Sequence, residues 1–136
     1  MLQSLAAVTI LVPSYEDGLA FFRDLLGFAV LEDTPLSPTK RWVVVAPSQD
    51  TGAALVLAVP SDERQGTRVG DQTGGRVGFF LHSSDFWADY KTLRTRGVEF
   101  LETPRNEPYG LVAVFVDPWG GKWDLLQPAR AVPQTR

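Results

Sequence analysis

Ser14-Tyr15-Glu16-Asp17-Gly18-Leu19-Ala20-Phe21-Phe22-Arg23-Asp24-Leu25-Leu26-Gly27 is the stretch on which the fold turns. Ser14 is an N-cap residue, Asp17 follows in a capping-box relation, and Leu19, Phe22 and Leu26 recur at helical spacing. Gly27 supplies the left-handed C-terminal cap, so the spacing predicts one helix over 15–26. Upstream, the apolar, β-branched run 5–12 is stopped by Pro13 and reads as a buried strand. Downstream, 28–34, 41–46 and 53–59 are strand-length runs separated by the turn clusters Pro35-Leu36-Ser37-Pro38 and Ser48-Gln49-Asp50-Thr51-Gly52. The first half is therefore βαβββ.

The polar stretch 60–75 holds few apolar residues and several glycines, and reads as a linker or a mobile flap. After it the pattern restarts. Residues 77–82 form a strand, Ser84 and Asp85 offer N-caps, and Phe86, Tyr90 and Leu93 mark a helix that Gly97 ends. The runs 98–102, 111–116 and 122–126 then read as three more strands. Ser14 to Gly27 and Ser84 to Gly97 both span 13 positions, an offset of 70 in a chain of 136 residues, which supports an internal duplication. The reading is a single α+β domain over 1–136, with βαβββ modules at about 1–60 and 76–128.

Composition narrows the function. The chain is 44% hydrophobic and 21% charged, so it can bury a continuous core. Its 13 basic and 16 acidic side chains leave a net charge of −3 without a run of like charge, so neither nucleic acid nor a membrane surface is an expected partner. No apolar stretch approaches the roughly 18 to 20 residues that span a bilayer. The start of the chain lacks a basic segment ahead of its apolar run, so no signal peptide is read and a cytoplasmic location is expected. With no cysteine there is no disulfide framework, thiolate nucleophile or cysteine zinc site. The glycines of 70–75 lack the Lys and Ser/Thr of a phosphate loop, and no Gly-x-Ser-x-Gly elbow occurs.

A second segment joins the first: Gly110-Leu111-Val112-Ala113-Val114-Phe115-Val116-Asp117-Pro118-Trp119-Gly120-Gly121-Lys122-Trp123-Asp124-Leu125. Asp117-Pro118-Trp119-Gly120 has the residues a tight turn wants, with Pro fixing φ and Gly tolerating positive φ. Together the helix motif and this Asp-Pro-x-Gly hairpin resemble the vicinal oxygen chelate superfamily, which includes glyoxalase I, bleomycin-resistance proteins, extradiol dioxygenases and fosfomycin-resistance proteins. The resemblance implies two modules whose curled mixed sheets form a cup, and a two-fold homodimer that completes two sites. In metal-dependent members, ligands on the first strand, within the first module, at the start of the second module and on the last strand hold a divalent ion.

Carried over position by position, that ligand set is depleted. Ala7 stands at the first-strand position, 53–59 has no ligating side chain, and Gly78 stands at the second-module position, with Arg76 on the same strand face if the register slips by two. Asp124 stands where the family has its terminal carboxylate. A single histidine per chain cannot build a two-histidine site, even in a dimer with two cups. No metal and no cofactor are therefore expected. The ligand-facing candidates are Trp42, Arg76, Phe80, His82, Tyr109 and Asp124. His82 either points into the cup or stands as a surface residue ahead of the helix. Tyr109 either contacts a ligand or packs its loop. Asp124 is expected to find a cation, with Arg76 the first choice and Lys122 the second. The expected function is binding of a small organic molecule; the alternative is a lyase, isomerase or dioxygenase acting on a vicinally oxygenated substrate, with Asp124 as ligand or base and His82 as acid–base partner.

Overall fold

A computed structural model describes residues 1–129. They form two compact units, 1–72 and the part that begins at Thr73. In the first, β1 (Ala7–Leu11), α1 (Tyr15–Leu19), β2 (Ala29–Pro35), β3 (Arg41–Ala46) and β4 (Ala54–Ala58) build a mixed sheet of order β1-β4-β3-β2. In the second, β5 (Val77–His82), α3 (Phe86–Thr95), β6 (Glu99–Phe100), β7 (Arg105–Glu107), β8 (Gly110–Val116) and β9 (Lys122–Pro128) build a sheet of order β5-β9-β8-β6, with β7 also on β8. Each unit pairs its first and last strands in parallel, β1 with β4 and β5 with β9. The α+β class and the curled mixed sheets are as expected from the sequence.

The first helix starts where Ser14 predicts, its hydroxyl accepting from the Asp17 N–H. It does not stay α-helical. From Ala20–Leu25 it widens into a π-helix, closed by a Leu26 N–H to Phe21 O bond of 2.9 Å. At its end Phe28 N–H reaches back six residues to Phe22 O, whereas Val98 N–H after α3 reaches back five, to Leu93 O. The π turn thus accommodates one extra residue. In the second unit the N-cap is Asp85, which accepts from Ala88 N–H, and the equal Ser-to-Gly spacing predicted for both helices is corrected by one position. Gly27 and Gly97 both take positive φ, as their capping roles require.

Strand alternation separates two faces in each sheet. In the first unit Ile10, Val12, Val43, Val45 and Leu57 are buried, as are Leu19, Phe21, Phe22 and Phe28 of the helical segment and its exit. In the second unit Phe115, Trp123 and Leu125 are buried with Phe86 and Leu93 of α3. Tyr90 meets Phe100 edge-on at 4.6 Å, and the Trp123 ring stacks on Phe79 at 4.2 Å. Each large side chain so buried contributes roughly 1.5–3 kcal/mol.

The polar stretch expected to be a linker or flap is tied down. It contains a short helix, α2 (Glu63–Gly66), capped by Asp62. At its far end the Gln72 amide pairs with the outer edge of β1, accepting from Leu11 N–H at 2.7 Å and donating to Thr9 O at 3.1 Å. One side chain thereby satisfies backbone groups that an edge strand otherwise leaves open. The strand predicted over 98–102 is interrupted. Pro104 has no N–H for a ladder, and β6 and β7 are separate pieces against β8. Residues 128–136 hold two prolines and little apolar mass, which predicts a loose or draped tail, but Pro128 closes β9 opposite Gly110, and Ala129 N–H donates to Tyr109 O. The rest of that tail lies outside the described residues.

The β8–β9 turn is organised by one buried carboxylate. Asp117 accepts from Trp119 N–H, Gly121 N–H and the Trp123 indole N–H. A Cβ at Gly121 would strike the Asp117 carboxylate, so this glycine is a matter of space. Asp117→Ala leaves three donors without their acceptor, and urea unfolding should show a loss on the order of 2–4 kcal/mol. Gln72→Leu should cost about 1 kcal/mol and speed hydrogen exchange at Leu11 selectively.

Candidate functional site

The face of the second sheet turned away from α3 carries Asp124. The registers place it opposite Val114 on β8 and beside Phe80 on β5, with His82 next to Leu126 one step along. Phe80 is 62% exposed although it sits inside a strand, so this face presents an uncovered phenyl ring. His82 is exposed at the end of β5. Gly78 lies in the bulge between Val77 and Phe79, where two β5 steps face one step of β9. A Cβ at Gly78 would stand 2.8 Å from the Thr73 methyl. The position that the resemblance assigns to a ligand is therefore closed by a neighbouring side chain.

Asp124 does not meet Arg76. No ion pair joins them among the described residues, and the Arg76 side chain is exposed, its carbonyl accepting from the Thr73 hydroxyl at 2.5 Å. The cation that acts on Asp124 is Arg105. The reason lies in the strand break. Where Pro104 interrupts the ladder, the Glu102 carboxylate accepts from Val114 N–H at 3.1 Å and binds Arg105 Nε at 3.1 Å. Arg105 Nη1 is also bound to Glu107. Tyr109, Glu102 and Glu107, in that order, raise the guanidinium pKa. Tyr109 is itself half exposed. The Asp124 carboxyl is pushed above the ordinary aspartate range, chiefly by burial; Arg105 opposes the shift and Glu102 adds to it. Its Oδ1 is buried and has no hydrogen-bond partner.

In the first unit Trp42 is 41% exposed on β3, and its indole N–H donates to Glu32 at 3.1 Å. Arg41 belongs to the other face, bridging Asp33, Glu16 and the Tyr15 ring to hold α1 against β2 and β3. The structure thus brings Phe80, His82 and Asp124 onto one face of one sheet and adds Glu102, Arg105 and Glu107, which the sequence reading did not single out. The alternation of Arg105 and Glu107 along a short strand was the available signal.

The comparisons with known proteins follow this geometry. The Glyoxalase/Bleomycin resistance protein/Dioxygenase superfamily model matches residues 4–125. The chain belongs to this superfamily. An uncharacterized protein of Shewanella frigidimarina is 41% identical over 128 residues, covering 93% of this chain and 95% of that protein. Among superfamily-like solved structures, UcmS2 superposes with a TM-score of 0.79 at 30% identity, covering 93% of this chain and 98% of the other. TnmS3, an antibiotic binding protein from Streptomyces sp. CB03234, gives a TM-score of 0.75 at 29% identity, covering 94% and 98%.

Burial raises the Asp124 pKa, so the folded state holds its proton more tightly than the unfolded chain. Its favourable contribution is complete below the unfolded value of about 3.9 and is lost as pH rises through the folded value. Asp124→Leu should therefore raise the unfolding free energy near neutral pH by about 1 kcal/mol. That gain should shrink as the pH is lowered toward about 4, measured as urea midpoints across a pH series.

Proposed function

We propose that this chain binds a small organic molecule against the open sheet faces, without a resident metal ion, in a cup completed by a two-fold homodimer in the cytoplasm. The observation that carries the reading is the donor set around Asp124. Among the described residues no three His, Asp or Glu side chains converge as a metal site would need. Ala7 has no donor atom, β4 is apolar along its length, and Thr73 closes the Gly78 position. One carboxylate does not compensate a divalent ion for its lost hydration, so the residues present do not fit the superfamily's ion.

What remains is a binding surface of aromatic side chains with a few polar groups, the usual make-up of a small-molecule site. In the second unit Phe80 and Tyr109 supply the rings, and Asp124, His82 and Arg76 the polar contacts; in the first unit Trp42 offers a ring of its own. The likeness to an antibiotic binding protein supports this ligand class. The exposure of Leu31 and Leu101 supports a partner subunit that covers them. The lack of cysteine suits a reducing compartment, and among the described residues no helix is long and apolar enough to cross a membrane. A second reading, turnover of a vicinally oxygenated substrate with Asp124 as base and His82 as acid–base partner, draws on the raised Asp124 pKa.

The test uses protein purified without a metal-binding tag. Metal content should be far below one ion per chain, and Zn²⁺, Ni²⁺ and Mn²⁺ should leave melting unchanged. Aromatic antibiotics, bleomycin included, should give saturable tryptophan quenching, and sedimentation should show a dimer at micromolar concentration. One ion per chain, lost in Asp124→Ala, would overturn the metal-free reading. Metal-dependent turnover of a methylglyoxal–glutathione hemithioacetal or of catechol would replace binding with catalysis.

A further inference from the structure

We infer that the ligand presents an N–H or O–H donor to the Asp124 carboxylate from a flat ring lying against Phe80, so that this face selects donor-bearing aromatic molecules over aromatic acids. The inference rests on the binding reading above and names the chemistry of its ligand.

The register makes Phe80 and Asp124 neighbours on adjacent strands, and 62% of the phenyl surface is uncovered. A flat apolar ring of a ligand would find its contact area there. Beside that ring the Asp124 side chain is half-buried, with Oδ1 enclosed and unpartnered, so its other oxygen is the one open to a ligand. An ionised carboxylate is an acceptor only, so the group calls for a donor.

None of the described residues supplies that donor. Arg105 is the nearby cation, and its guanidinium is bound to both Glu102 and Glu107, with Glu102 held in turn by Val114 N–H. Turning Arg105 toward Asp124 would strip Glu102, whose carboxylate fills the gap in the strand ladder. Lys122 and His82 share the register of this face at its two ends, and neither hydrogen-bonds Asp124 among the described residues. The charges that act on Asp124 are thus the Glu102 carboxylate and an Arg105 guanidinium that is already engaged. A ligand carboxylate would meet the repulsion of Asp124 and Glu102, whereas an amine, amide N–H or hydroxyl would satisfy the Asp124 carboxylate.

Three probes on one ring skeleton separate these terms: proflavine, which carries amino donors and a protonated ring nitrogen; acridine, neutral and without a donor at pH 8; and acridine-9-carboxylate. Fluorescence titration of the whole protein should give proflavine an affinity at least tenfold above acridine, with the carboxylate weakest. Asp124→Leu should bring proflavine down to the acridine level, whereas Asp124→Asn, which keeps a carbonyl acceptor but not the charge, should lose part of the preference. Phe80→Ala should weaken proflavine and acridine together. Unchanged proflavine affinity in both Asp124 variants, or a carboxylate probe that binds best, would overturn the inference while leaving the binding reading in place. Failure of all three probes to bind would remove the binding reading at this face and the inference with it.

Discussion

The Asp117 carboxylate decides which way Asp124 faces. Strand side chains have a period of two, so a one-residue slip of β9 against β8 would turn Asp124 toward α3 and Trp123 toward the open face. The slip is blocked because Asp117 holds Trp119 N–H, Gly121 N–H and the Trp123 indole at once. The third of these ties the turn to the packing side of the sheet, where Trp123 lies between Phe79 and Phe115. Turn and core therefore specify the same register, and the position of Asp124 follows from it.

That dependence explains what could be read from the sequence. Ser14, Gly27 and Gly97 announce helix ends because each solves a local backbone problem, an orphan N–H or a positive φ, that needs no knowledge of the rest of the chain. The hairpin at Asp117 is local in the same sense. The π-helical turn after Leu19 was not legible, because Phe21 and Phe22 fit an α-helical stripe as well as a wider one, and the extra residue shows only against the second helix. Gln72 was not legible either. Its partners on β1 lie 61 and 63 residues away, and nothing in a glutamine surrounded by Gly and Thr marks it as an edge cap.

The site divided along the same line. Phe80 and His82 share a strand parity that the sequence shows, Asp124 enters through the resemblance, and the registers of β5 and β9 carry all three to one face. Arg76 was proposed as the partner of Asp124 because it precedes the neighbouring strand, but the Val77–Phe79 bulge breaks the register on which that proposal rested. Arg105 escaped notice because its role depends on Pro104. The proline interrupts pairing, Glu102 fills the gap with a side-chain acceptor, and Arg105 is drawn in to balance Glu102 and Glu107.

The outcome is a division of labour between the two faces of one sheet. On the α3 side the buried polar groups have partners: the Trp123 indole is met by Asp117, the first N–H of α3 by Gln127, and the Ser83 hydroxyl by Asp89. On the other side a carboxylate oxygen is left unmet beside an exposed ring. An unpaired buried acceptor costs stability, and the packed face can offset that cost only because turn and core are independently secured. The repair of the strand break engages Arg105, the cation that acts on Asp124. The unmet carboxylate is thus tied to how β6 and β7 are joined, and it leaves the open face with an acceptor that none of the described residues satisfies.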